Sequence, residues 1–175
     1  MAQAESLING QEHAVSNGDE HSRISVAHYN ADEVIRQFLG LYNSLDFKEE
    51  LEDIGITRWQ FLRRRKALRE FRAICIALWG LALQKSFPND AGNFFSGFRE
   101  RAPMLAGNWK ETACLHERVN VYIELLAPKK DTDFSPVASQ MAKGLALDIE
   151  DVPRLRVKLS LSIRNLYGLI FDKLV

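Results

Sequence analysis

The sequence predicts an all-α, single-domain helical bundle of about six or seven helices, with one long central helix and a flexible N-terminal tail. Three observations carry this. Apolar residues recur at three- and four-residue steps in one segment after another, the period of a helix with one buried face. Asn, Asp, Gly and Pro fall between those segments, where helices start and stop. Between Thr57 and Phe87, TRWQFLRRRKALREFRAICIALWGLALQKSF has no proline and one internal glycine, Gly80. Glycine in a helix costs roughly 1 kcal/mol relative to alanine, which weakens a helix without ending it.

The long segment has two characters. Thr57 is the expected N-cap, its hydroxyl accepting from the first turn. Arg58, Arg63, Arg64, Arg65, Lys66, Arg69 and Arg72 then make the first half strongly basic, against the single acid Glu70. Ala73 to Leu83, AICIALWGLAL, has no charge, so it belongs in the middle of a bundle. Phe61, Leu68, Phe71, Cys75, Leu78 and Ala82 form the expected core face. Just upstream, DFKEELED at 46–53 is acidic and is the nearest expected partner for the arginines.

Residues 1–29 are polar, and their scattered apolar residues follow neither period, so they read as the tail. His13, His21 and His28 there read as solvated side chains. The folded domain is 30–175. Asn30 and Glu33 give a capping pattern for helix 1, about 31–45, with Val34, Ile35, Phe38, Leu41, Tyr42 and Leu45 on its apolar side. A short acidic helix covers about 47–53 and ends at Gly55. After Pro88–Asp90 comes a helix over about 91–101, carrying Phe94, Phe95 and Phe98. A turn around Pro103–Gly107 and a cap at Asn108 precede a helix from Trp109 to Leu126. The polar loop 128–136 leads to a helix over about 136–147. A cap region at Asp148–Asp151 opens the last helix, 153–174, with Pro153 in its first turn.

Two segments also fit strands. Leu155, Val157, Leu159, Leu161 and Ile163 alternate with polar residues, and so do Val119, Val121, Ile123 and Leu125. Helix is the better reading, because Leu155, Leu159, Ile163, Leu166, Ile170 and Leu174 continue as one helical stripe.

The chain has 175 residues, a length that suits one domain and buries roughly 70% of its unfolded surface. Hydrophobic content of 46% and charged content of 26% are those of a globular protein. The formal net charge of zero argues against strong overall attraction to nucleic acid and leaves room for a local patch. Cys75 and Cys114 sit in apolar helical patterns and read as buried free thiols, too far apart for a zinc motif. With no secretory signal and no membrane-length apolar run, the expected location is cytoplasmic.

Chemistry-bearing motifs are few. The sequence has no phosphate loop, H-E-x-x-H, G-x-S-x-G or C-x-x-C. His116 stands alone in the folded part, two residues from Cys114 and therefore on another side of the helix. The pairs Glu49–Asp53 and Glu50–Asp53 read as a solvated acidic face. No catalytic constellation, cofactor or metal site is expected. The expected function is non-enzymatic: protein–protein interaction or assembly, either with an acidic partner or as a helical homodimer. Trp59 and Phe61 would be anchors beside Arg58, Gln60, Arg63, Arg64, Arg65, Lys66 and Arg69, since Trp and Arg are typical hot-spot residues. The alternative is a helix-turn-helix-like DNA-binding regulator that uses 57–72 as its recognition helix, because arginine forks suit guanine edges and phosphates. In it Phe61 and Leu68 hold the helix on the core. A small-ligand or cofactor pocket in the bundle is a third reading.

Overall fold

The computed structural model describes residues 30–101, 109–128, 131–146 and 149–174. Among them are seven helices and no strand: α1 Ala31–Ser44, α2 Lys48–Asp53, α3 Phe61–Ser86, α4 Ala91–Arg101, α5 Trp109–Leu126, α6 Ser135–Leu145 and α7 Asp151–Leu174. The fold is the predicted all-α bundle. The tail over 1–29, the turn around Pro103–Gly107 and the cap at Asn108 lie outside the described residues. No helix of the described residues is long and apolar enough to cross a membrane.

α3 is the axis of the bundle, about 39 Å long at 1.5 Å per residue. Every residue from Ala73 to Gly80 is buried, as are Ala82 and Leu83, so the uncharged run does lie at the centre. Gly80 lets α4 approach closely, since a Cβ there would lie 3.0 Å from the Phe95 ring. α5 runs parallel to α3: Arg65 meets Glu111, and Glu70 meets Arg118 and then Tyr122. α7 is parallel too, with Leu155 beside Arg63 and Phe171 beside Lys85. α1 runs the other way, placing Tyr42 near Arg72 and Phe38 on Trp79. α6 folds back on α7, with Leu145 at the start of α3 and Phe134 against Tyr167.

The strand-like alternations resolve as helix, and burial gives the reason. The residues at helical spacing are the covered ones: Val119, Tyr122 and Leu126 in α5, and Leu155, Leu159, Ile163, Leu166 and Ile170 in α7. The residues that completed the alternation, Val121, Val157 and Leu161, are exposed.

Caps explain most boundaries. Asn30 accepts from the Asp32 N–H at 3.0 Å and starts α1. α2 ends in a Schellman motif. The Ile56 N–H donates to the Leu51 carbonyl at 2.8 Å and the Gly55 N–H to Glu52 at 2.9 Å, with Gly55 at φ 80°. Leu51 and Ile56 are both buried and supply the apolar contact of that motif. Phe47, at φ 53°, is a bulky residue in left-handed backbone, a conformation costing on the order of 1–3 kcal/mol. Its ring is buried against Phe71, stacked at 5.2 Å, which holds it there.

Two boundaries correct the sequence reading. α3 begins at Phe61, and Thr57 does not cap it. Ile56 must stay buried to complete the turn after α2, so the chain spends another turn before the helix. That turn is closed by the Gln60 N–H on the Thr57 carbonyl at 3.2 Å. α6 stops at Leu145, two residues early, because Ala146 is extended.

Candidate functional site

The first turn of α3 projects past the core. Ala67 is its first fully buried residue. Before it, Trp59, Phe61 and Leu62 are 85%, 71% and 86% exposed. Burying one such side chain is worth about 1.5–3 kcal/mol, so three left in water represent burial forgone. Because Arg65 reaches Glu111, the first turn of α5 lies beside that of α3, and it adds Trp109, 74% exposed. Lys110 sits over the Trp109 ring, 5.8 Å from its centroid. Arg63 donates from Nε to the Leu145 carbonyl at 2.9 Å, which brings the end of α6 to the same end of the bundle. Just beyond it Ile149 is also exposed. One end of the molecule therefore carries large exposed apolar side chains, basic around Trp59, Phe61 and Leu62, with the acids Glu111, Glu150 and Asp151 beside Trp109 and Ile149.

Phe61 was expected on the core face with Leu68. Leu68 does pack there, half-buried, but Phe61 points to water. Phe61 is the first residue of α3, six residues before its first fully buried position, Ala67, so it lies beyond the core that Leu68 meets. The adjacency of Trp59, Phe61 and Leu62 was readable in the sequence and was the signal for an exposed apolar patch. Leu62, Trp109 and Ile149 are the members that sequence reasoning missed. Trp109 and Ile149 join only through tertiary packing.

The other predicted site residues divide into three groups. Arg58, Lys66 and Arg69 are exposed, and Arg64 is half-buried. Arg63 and Gln60 are turned inward, Arg63 onto Leu145 and Gln60 with its Oε1 buried. Arg65 makes a loose pair with Glu111 at 3.7 Å, both side chains more than half exposed, a geometry worth little. The acids of 46–53 do not take the expected role. Among the described residues the ion pairs of α3's basic half run to α5, and α2 packs toward α7, where Lys158 bonds the Asp53 carbonyl. The basic patch is therefore left largely un-neutralised.

Below the patch a buried carboxylate ties α3 to α5. Glu70 is 5% exposed, pairs with Arg118 and accepts from the Tyr122 hydroxyl at 2.7 Å. Burial, then the charge of Glu70, pushes the Tyr122 hydroxyl above its ordinary range.

The two cysteines differ, which corrects the expectation that both are buried. Cys75 is buried at the core and Cys114 is exposed on α5. Burial raises the Cys75 thiol well above its ordinary range and keeps it inert. Alkylation of the native protein will therefore modify Cys114 alone, and denaturant will expose the second thiol. Intact mass after a brief maleimide pulse checks this, and two adducts on the native protein would contradict it.

His116 is half-buried, and burial followed by the charge of Arg99 lowers its pKa. Among the described residues no three His, Cys, Asp or Glu side chains gather as a metal site. No family model, curated protein or solved structure matches the chain.

Proposed function

We propose that this protein works through protein–protein contact, docking an acidic partner on the exposed end of α3. The observation that carries the reading is the set Trp59, Phe61 and Leu62, each more than 70% exposed, where the chain enters α3. A central aromatic cluster ringed by arginine is the composition of interface hot spots. Arg58, Arg64, Arg65 and Lys66 supply the charge that would select an acidic partner and speed its approach.

Duplex binding by the same helix has less support. The connection from α2 to α3 is seven residues, 54–60, where a helix-turn-helix uses three or four. Exposed tryptophan, phenylalanine and leucine side chains at its tip also suit a protein surface better than a phosphate-lined groove.

The test is site-specific photo-crosslinking in cells that express the chain. A photoreactive residue at Phe61 is compared with one at Gln84, exposed near the far end of α3. An adduct formed at 61 alone is expected, and Trp59→Ala with Leu62→Ala should reduce it by about tenfold or more, two hot-spot truncations being worth at least that. Charge reversal of Arg64 and Arg65 should do the same, while Arg63 is left alone because it holds Leu145. Identical adducts at 61 and 84 would defeat the proposal. An adduct to a second copy of the chain would replace the acidic partner with self-association.

A further inference from the structure

A cleft of about 230 Å³ opens between α1, α3 and α5. Arg65, Arg69 and Arg72 line it from α3 at i, i+4 and i+7, one stripe of the helix. Arg118 lines it from α5. Glu111 is the one carboxylate in the wall, loosely paired with Arg65, and Arg118 is paired with Glu70 outside the wall. Like charges at i, i+4 repel, so the stripe is not a device for helix stability. Among the described residues Arg69 and Arg72 make no ion pair with a carboxylate. The rest of the wall is apolar or aromatic, from Tyr42, Leu68 and Leu115. Tyr42 is buried, and burial, against the opposing charge of Arg72, pushes its hydroxyl up to about 12.

We propose that this cleft binds a small organic phosphate. Arg69 and Arg72, two guanidinium forks without a carboxylate among the described residues, with the loosely paired Arg65 beside them, suit a group with three terminal oxygens and close to two negative charges. A carboxylate would satisfy one fork and leave the others in repulsion. The organic part of the ligand would lie on Tyr42, Leu68 and Leu115. The volume sets the scale, since sites for drug-sized ligands run roughly 300–1,000 Å³ and this cleft is smaller. Cys114 stands in the same wall, so its thiol reports on occupancy. The proposal shares Arg65 with the docking surface and none of its apolar anchors: Trp59, Phe61 and Leu62 are not among the lining residues.

The experiment uses the full chain with phenyl phosphate as probe, read by calorimetry and by the rate of Cys114 alkylation. Binding and slowed alkylation of Cys114 are expected, and benzyl alcohol should do neither. Arg69→Ala and Arg72→Ala should each weaken binding about tenfold, the scale of one lost charge-assisted fork. Arg69→Lys keeps the charge at an exposed position, leaves the fold intact, and should still lose most of that factor. Arg58→Ala and Arg64→Ala remove the same charge outside the cleft and should stay within about twofold. Glu111→Gln should tighten binding. Equal losses for all four arginine variants would show diffuse attraction and overturn the site. So would absence of Cys114 protection at 10-fold excess over the measured Kd, a readout taken on wild-type protein. A phosphotyrosyl peptide binding far more tightly than phenyl phosphate would move the cleft from a small molecule to a phosphorylated protein. Because Trp59→Ala should leave phenyl phosphate binding unchanged, failure here and failure of the docking proposal are separable.

Discussion

Replacing Trp79 with alanine will destabilise the fold by about 3–5 kcal/mol, the range for emptying a buried aromatic site. Trp79 is fully buried on α3, the axis of the bundle. Its indole stacks on Phe38 of α1 with centroids 4.2 Å apart and planes 6° from parallel. Phe98 of α4 meets it edge-on at 5.2 Å and also meets Phe38 at 5.4 Å. One side chain thus joins three helices, and aromatic pairs of this kind add about 0.5–1.5 kcal/mol each beyond area burial. Trp79→Phe should cost much less. It keeps the ring stack and removes an indole N–H that is buried without a protein partner. Urea unfolding followed by far-UV circular dichroism measures both. An alanine variant within about 1 kcal/mol of wild type would mean that the cluster is not the centre of the core.

The helices were legible because each carries its own stripe and its own stop. In α7, Leu155, Leu159, Ile163, Leu166 and Ile170 spell out the buried face residue by residue, and the structure covers those positions. Gly55 is legible for the same local reason: the left-handed turn after α2 needs it, and no distant contact is involved. The start of α3 was not legible in this way. Thr57 has a good capping side chain, but the burial of Ile56 fixes the chain direction there, and burial is a tertiary fact. Cys114 failed likewise. Its neighbours follow an apolar pattern, yet Cys114 falls on the side of α5 that lines the arginine cleft. Of the candidate surface, the basic residues were evident from composition, and their division between patch, inward contact and cleft was not. Arg69 and Arg65 look alike in sequence beside Arg63. Only the side-by-side course of α3 and α5 brings Arg118 against them and opens the cleft.

Glu70 is where the charged and apolar halves of α3 meet, and Glu70→Ala is expected to cost about 2–4 kcal/mol. Breaking a buried ion pair from one side costs about 3–5 kcal/mol when the abandoned partner stays buried. Arg118 is 40% exposed and can turn to water, which lowers the figure. The Tyr122 hydroxyl cannot escape so easily, being on a residue 2% exposed, and it loses its acceptor. Tyr122→Phe alone should therefore cost about 1 kcal/mol, and the double variant less than the sum, since the carboxylate and hydroxyl serve each other. The same pair predicts an alkaline limit. Tyr122 is raised by burial and by Glu70, and Tyr42 is raised to about 12 by burial. An unfolded tyrosine ionises near pH 10, so above that value the unfolded chain holds fewer protons than the folded one. Stability is then fully present below about pH 10 and falls as pH rises beyond it. Tyr122→Phe, already lacking one raised hydroxyl, should lose stability less steeply there than wild type. Parallel urea curves at pH 8 and pH 10.5 decide the matter: unchanged steepness in Tyr122→Phe would mean that the Glu70 network is open to water and does not bind α3 to α5.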